Sequence, residues 1–364
     1  MVEIVEVVAT SSLAVLVIYW IVVLAKILGF KPKTNRVHPV SVIVCAHNEL
    51  DNLKKLIPRL LNQDHLDFEV VIVDDRSEDG TYDYLLENQS DKLKFARVDQ
   101  VHDHINAKKF ALTMGIKAAT HDIILLTDAD CIPASEHWIS KMTGAFTKDT
   151  QYVLGISPYE KDSGLLGQFI QFETQWTAMN YIGFALAGNP YMGVGRNLAY
   201  RKSSFLKHKG FSKIQHVTGG DDDLLVNEYA HKKNTRVVLG ASSLTYSIPK
   251  ATWGAYIHQK LRHWSVGKYY GFKDKMLLGF QNLSNLVFWL ALIILAVQTN
   301  NYLIPAGLLV FRMIFVTILI NSTSKKFGYR MNIWLVPVMD ILYVGYASIF
   351  GIIALFTKKV RWKK

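Results

Sequence analysis

Three apolar runs in this 364-residue chain each stop at side chains able to hold cations or phosphates. The run at 40–45 leads into Ala46-His47-Asn48-Glu49, and the run at 68–73 into Asp74-Asp75-Arg76-Ser77. The run at 122–127 leads into Asp128-Ala129-Asp130. Two carboxylates one residue apart make an oxygen-rich site for Mg²⁺ or Mn²⁺, cations that commonly complete their shells with substrate phosphates. Such a pair is common by chance and is often a solvated turn; its place directly after a buried strand favours the ligand reading. Asp74-Asp75 has an equal alternative as a helix cap. Ser77 or Asp79 suits the cap, which leaves Asp74 and Asp75 for ligand binding. Further on, Gly193-Val194-Gly195-Arg196-Asn197 precedes an apolar run, and Gly219-Gly220-Asp221-Asp222-Asp223 opens a predicted helix. Aspartates suit a helix N-terminus, and they equally suit a carboxylate base beside an anionic donor. Gln259 and Arg262 lie three apart, on one face of a predicted helix that goes on through His263 and Trp264. A basic interfacial helix is the rival reading there.

The elements that must carry these groups follow from periodicity. The runs at 40–45, 68–73 and 122–127 are β-branched and nearly continuous, as strands buried on both faces are. Predicted helices at 49–61, 81–88 and 108–119 alternate with them. That order predicts an α/β domain with right-handed crossovers, which binds ligands at the carboxyl ends of its strands. All three polar clusters fall at those ends. Glycine-rich dinucleotide and P-loop fingerprints are absent.

Lys and Arg total 41 against 30 Asp and Glu, a net charge of +11, and half of the residues are hydrophobic. The mean hydropathy of +0.14 predicts apolar segments joined to an ordinary soluble part. Disorder is excluded. With only Cys45 and Cys131, so are a disulfide scaffold and a Cys/His metal site. Both cysteines read as small buried hydrophobes in a reducing compartment. No aromatic–basic platform for nucleic acid is visible.

A retained membrane anchor is expected at 4–28, around the uncharged run 7–25. Lys26, Lys31, Lys33 and Arg36 follow it and place the next domain, 38–245, in the cytoplasm. Interfacial helices at 246–275 carry the Gln259–Arg262 face. Spanning helices are expected at 276–298 and 302–321, the second with Arg312 in mid-segment. The stretch 331–357 contains Pro337, Asp340 and Gly345. Lys325, Lys326 and Arg330 before it and the basic residues 358–364 after it all favour the cytoplasmic side. The expectation is therefore a transmembrane helix or a re-entrant hairpin, with a kinked hairpin around 337–345 preferred. The helix-like pattern at 164–188 reads either as a core helix or as an interfacial one.

The order of these pieces over about 40–270 resembles the membrane-bound family 2 glycosyltransferases, whose catalytic domain has the GT-A fold, a Rossmann-like mixed sheet. Cellulose, hyaluronan and poly-N-acetylglucosamine synthases and ceramide glucosyltransferase are members. The resemblance implies that Ala46, His47, Asn48 and Glu49 stand where the family has an aromatic-Asn-Glu element, with His47 in place of the ring that stacks on uracil. It implies nucleobase or ribose contacts for Asp74 and Asp75. Asn106-Ala107-Lys108-Lys109-Phe110-Ala111-Leu112 is similar to the family's Gly-Lys-Ala-x-Ala-Leu, which makes Lys108 a nucleotide contact. Asp128 and Asp130 match the metal-binding Asp-x-Asp. The acidic triplet resembles Glu-Asp-x-Asp-Leu, with Asp221 in the register of the catalytic base, Asp222 as its rival and Gly220 in place of the glutamate. Gln259 and Arg262 match Gln-x-x-Arg-Trp, but His263 holds the tryptophan position. Trp264 is one step on, turned ~100° around the helix. Loss of that tryptophan weighs against processive polymerisation.

What this implies is an inverting, metal-dependent transferase of a multi-pass cell-membrane protein. It moves a sugar from a nucleoside-diphosphate donor, expected to be UDP-linked, to a lipid or lipid-linked acceptor. Arg196 and Asn197 join the substrate-binding candidates. A processive polysaccharide synthase is the alternative. A non-catalytic nucleotide-binding scaffold or transporter is the reading from another class, and a paired-carboxylate nucleotidyltransferase or phosphatase another. A transporter places ionisable groups in several spanning helices, where this sequence has only Arg312 and Asp340, and a nucleotidyltransferase or phosphatase does not need the Gln259–Arg262 helix.

Overall fold

The computed structural model describes residues 2–32, 36–100, 106–162 and 164–357. Lys33 and the basic stretch 358–364, both part of the charge argument above, lie outside the described residues. In chain order the elements are α1 (Val2–Leu28), β1 (Val40–Ala46), α2 (Leu50–Leu61), β2 (Phe68–Asp75), α3 (Thr81–Glu87), β3 (Leu93–Val98), α4 (Ala107–Ala118), β4 (Ile123–Leu126) and β5 (Cys131–Pro133). Then follow α5 (Trp138–Thr143), β6 (Tyr152–Leu154), α6 (Leu165–Ala187), β7 (Leu198–Arg201), α7 (Lys202–Lys207), α8 (Asp223–Tyr229), β8 (Thr235–Val237) and β9 (Thr245–Ser247). Four long helices close the chain: α9 (Trp253–Val266), α10 (Phe272–Gln298), α11 (Leu303–Phe327) and α12 (Val336–Phe356).

The chain divides into two units. One holds the described parts of 31–160 and 184–249, the other those of 1–30, 161–183 and 250–360. The first is built on a seven-stranded sheet of order β3-β2-β1-β4-β7-β6-β8, with β5 and β9 as a separate pair. β1 runs parallel to β2 and β4, and β2 to β3, but β7 is antiparallel to both β4 and β6. The sheet is therefore mixed. β1, β2 and β4 are buried almost throughout, the physical counterpart of their unbroken apolar runs. On one face α2 lays Leu53, Leu56, Ile57 and Leu60 against Val42, Val44, Val70 and Ile72. α4 buries Ala111, Leu112 and Ile116. Gly115 lets its backbone come close to the sheet, since a Cβ there would sit 2.7 Å from Val73 Cγ2 and 2.8 Å from Ile43 Cγ2.

Among the described residues, four helices are long and apolar enough to cross a membrane: Val2–Leu28, Phe272–Gln298, Leu303–Phe327 and the span Ile333–Ile353, all in the second unit. Leu13 and Leu16 of α1 pack on Phe288 and Leu292 of α10. The hairpin expected around 337–345 is not what forms: α12 runs on without a turn. Pro337 sits in its first turn, where a missing N–H costs nothing. Asp340 is neutralised, because Arg312 donates to both its oxygens at 2.7 and 2.9 Å and to Asn285 Oδ1 at 2.7 Å. α6 is a core helix. Phe169, Phe172, Trp176 and Met179 are buried, Gln175 donates to Thr323 at 2.7 Å, and Glu173 pairs with Lys260 of α9.

Candidate active site

The loops after β1 and β2 are bonded to each other. Asn48, at φ +56°, donates its N–H to Ser77 Oγ at 2.9 Å and accepts from the Glu78 N–H at 2.8 Å. Leu50 N–H, at the start of α2, donates to Asp79 Oδ2 at 3.0 Å, while Asp79 Oδ1 accepts from Thr81 at the start of α3. One aspartate thus serves two helix N-termini, and the cap role expected of Ser77 or Asp79 falls mainly to Asp79. His47 Nδ1 lies 2.5 Å from the Asp75 carbonyl, and Glu49 accepts from Asn52. Ala46 and Asp74 are fully buried. Asp74 Oδ1 accepts from Ser77 N–H at 3.2 Å, whereas Oδ2 has no hydrogen-bond partner among the described residues, with Arg97 Nε at 3.9 Å. Asp75 pairs with Arg76 at 2.8 Å.

Asp128 and Asp130 lie in the short link from β4 to β5. Lys108, in the first turn of α4, places its ammonium 3.0 Å from Asp128 Oδ1 and 3.2 Å from Asp221 Oδ2. One cation therefore joins the Asp-x-Asp to the acidic triplet. The Asp128 side chain is 34% exposed and Asp221 only 7%, so the open edge of this cluster lies at Asp128. Among the described residues no three metal-ligating side chains converge. The donor set still fits Mg²⁺ or Mn²⁺ in kind, being carboxylate oxygens with the rest of the shell left to a substrate.

Asp221 and Asp222 have separate partners. Asp222 accepts from the Gly195 N–H at 2.6 Å and the Asp223 N–H at 2.8 Å, one with each oxygen. It caps α8 and pins the loop before β7. Burial, and then the charge of Asp221, raise its carboxyl above the ordinary range. Gly219 and Gly220 stand at φ +86° and +78°. Gly220 thereby explains the departure from a glutamate, which that backbone would strain.

Two expected substrate contacts have other duties. Asn197 is fully buried, with its amide nitrogen donating to the Ile156 and Ser243 carbonyls at 2.8 Å each and its oxygen accepting from Trp138 Nε1 at 3.0 Å. Asn197 is therefore a brace, with both amide hydrogens taken. Trp264 meets Tyr346 edge-on with ring centroids 5.8 Å apart, inside the aromatic packing of its own unit. It does not replace the tryptophan missing at 263, because the helical step turns it toward α12. Gln259, Arg262 and His263 lie on the same helix in that unit. Gln259 Oε1 is buried without a hydrogen-bond partner among the described residues, and Arg262 Nη2 lies 3.4 Å from His263 Nε2. Arg196 stacks its guanidinium 4.5 Å from the Tyr159 ring, within the field of Asp128 and Asp130, and its buried Nη1 has no hydrogen-bond partner among the described residues. Tyr159 and Lys109 were not among the residues expected from the sequence. Lys109 is marked there only as a lysine at a small-residue position.

Residues 41–208 match the model of the Glycosyl transferase family 2. This segment is a family 2 glycosyltransferase domain. Over 252 residues, 66% of its length, the chain is 24% identical to the poly-beta-1,6-N-acetyl-D-glucosamine synthase of Staphylococcus epidermidis and spans 57% of it. It is 28% identical over 142 residues, 37% of its length, to an uncharacterized glycosyltransferase of Haemophilus influenzae, of which it spans 42%. The chain thus covers about half the length of these curated relatives. Among solved structures, the mannosyltransferase PcManGT from Pyrobaculum calidifontis, in complex with GDP-Man and Mn²⁺, shares its fold with a TM-score of 0.65 at 17% identity. That match covers 97% of this chain and 99% of the other. The family 2 domain thus has a GT-A mixed sheet, and its three polar clusters lie at the carboxyl ends of β1, β2 and β4.

Proposed function

We propose that this protein is an inverting glycosyltransferase that moves one sugar from a nucleoside-diphosphate donor, UDP-linked by preference, to a lipid or lipid-linked acceptor at the membrane. The observation that carries this reading is the Lys108 ammonium between Asp128 and Asp221, which unites a cation-binding pair with a buried carboxylate in a family 2 domain. Asp221 takes the proton of the acceptor hydroxyl as its oxygen attacks the anomeric carbon from the face opposite the diphosphate. A single displacement inverts the configuration. Asp222, with both oxygens committed to backbone N–H groups, holds the loop and helix around that base. Lys108 turns from its carboxylate partners to the donor's phosphates. Mg²⁺ or Mn²⁺ held by Asp128 and Asp130 would add Lewis-acid neutralisation of the departing diphosphate. Asp74, Asp75 and the residues from Ala46 to Glu49 are assigned to the nucleoside. Gln259 and Arg262 keep the donor-side role implied by their resemblance to Gln-x-x-Arg.

The four apolar helices support a membrane setting, and the lysines following α1 support a cytoplasmic catalytic domain. The second reading is a polysaccharide synthase, favoured by the likeness to the Staphylococcus epidermidis enzyme; the histidine at 263 weighs against it. Purified protein in lipid, given UDP- and GDP-sugars with Mg²⁺ or Mn²⁺ and extracted lipids, tests both. Metal-dependent release of one nucleoside diphosphate, lost in Asp130→Asn and Asp221→Asn, with a single-sugar lipid product, is the expected result. A ladder of products would favour the polymer synthase, and absence of turnover would remove the transferase reading.

A further inference from the structure

A lysine at position 109 is out of keeping with the sequence element around it. The element that this stretch resembles has a small residue there, and the Lys109 side chain is 1% exposed. Burying an ammonium is costly unless it is neutralised or fully hydrogen-bonded. Along α4, consecutive residues point ~100° apart, so Lys108 reaches the Asp128–Asp221 pair while Lys109 turns inward. There its Nζ donates to the carbonyls of Ile214 and Val217 at 2.7 and 2.6 Å. Asn106, the cap of α4, adds a bond from its N–H to the Gln215 carbonyl at 3.3 Å. Three hydrogen bonds therefore fasten the first turn of α4 to the segment 214–217.

That segment leads straight into the acidic triplet. Between Val217 and Asp221 the chain passes through Gly219 and Gly220, both left-handed and without side chains to hold them in place. Asp221 thus hangs between two anchors. One is Asp222, bonded to the loop at Gly195 and to the start of α8; the other is the clasp at Lys109. We propose that Lys109 is a positioning residue for the catalytic carboxylate: its buried ammonium clasps residues 214–217 and supplies the counter-charge beneath Asp221, Asp222 and Asp223. The inference rests on the transferase reading for the role of Asp221; the clasp itself does not. Among the described residues, the charged groups that act on Lys109 are those three aspartates, while His216, between the two clasped carbonyls, is exposed. Burial pushes the Lys109 ammonium down to about 8, against the pull of Asp221, Asp223 and Asp222.

The test uses the full chain in lipid nanodiscs, as wild type, Lys109→Met, Lys109→Ala and Lys109→Arg. The first readout needs no catalysis. A lysine whose folded pKa lies below its unfolded value destabilises while charged, so stability gains as pH rises through about 8. The wild-type melting temperature should therefore rise relative to that of Lys109→Met between pH 7 and pH 9.5. The second readout is the pH profile of nucleoside diphosphate release. Lys109→Met should lose roughly 10- to 100-fold in kcat with donor KM within about 3-fold, and its acid limb should move up by about one pH unit, since removing a positive charge favours the protonated carboxylate. Lys109→Arg keeps the charge and should keep the acid limb. An acid limb unmoved in Lys109→Met, or moved equally in Lys109→Arg, would overturn the proposal. If Lys109→Met does not fold, Lys109→Arg and the wild-type melting profile decide it. Absence of turnover in wild type would instead sink the transferase reading, and the melting readout would still judge the clasp.

Discussion

Asp221 and Asp222 are neighbours in the chain with opposite tasks, and partners rather than residue type separate them. Asp222 spends both oxygens on backbone N–H groups, whereas Asp221 is joined to the Lys108 ammonium. Asp221→Asn should therefore lower kcat by about 10²- to 10⁴-fold, the range expected for loss of a general base, with a smaller fall in melting temperature than Asp222→Ala. Asp222→Ala should lower activity and melting temperature together, since it releases the α8 cap and the Gly195 loop; capping losses alone run to about 0.5–2 kcal/mol. Equal melting temperatures for the two variants would contradict this division. The chemical character of this triplet was legible in the sequence. Which carboxylate is committed to structure was not, because that depends on Gly195, 27 positions away.

At the scale of elements, β1, β2 and β4 announced themselves by composition and the other strands of the sheet did not. β3 reads Leu-Lys-Phe-Ala-Arg-Val, with two of its six residues charged, because an edge strand is only partly covered. β6, β7 and β8 are three or four residues long, too short for a periodic signal. Polar residues also tie the sheet to its surroundings. Glu69 of β2 accepts from Ser41, Thr120 and Lys94. Burial would raise its carboxyl, but those bonds outweigh it and hold it down at about 2. A depressed folded pKa means stability that is complete above the unfolded value and lost as pH falls through the folded one. Wild type should therefore lose denaturant resistance between about pH 5 and pH 2 relative to Glu69→Gln. Parallel titrations of the two across that window would rule out the network as its source.

At the scale of the whole molecule, the unit with the long apolar helices pairs the charges that it buries. Arg312 and Asp340, each in an apolar helix, pair at 2.7 Å, with Asn285 completing the set, and Glu173 pairs with Lys260. Arg312→Met should cost about 3–5 kcal/mol, because it strands a buried carboxylate. Arg312→Met with Asp340→Leu should recover most of that, as apolar replacement of a whole buried pair often does. Thermal unfolding in detergent of both variants checks this, and a double variant no better than the single one would refute it. The charge that seemed to break the segment has its partner on the neighbouring helix. Asp340 meets that partner with no break in its helix, since α12 runs on from Val336 to Phe356.

What the sequence determined alone is what depends on near neighbours: buried strands, amphipathic helices, helices long and apolar enough to span a membrane, and polar clusters at strand ends. Hydrophobic periodicity and local turn chemistry are enough for those. Tertiary structure decided everything that rests on residues far apart in the chain. It made Asn197 a brace through Trp138, Ile156 and Ser243, turned Trp264 into its own unit, and bonded Lys109 to the Ile214 and Val217 carbonyls. A side chain's type tells which bonds it can make, and only the fold tells which of them are already taken.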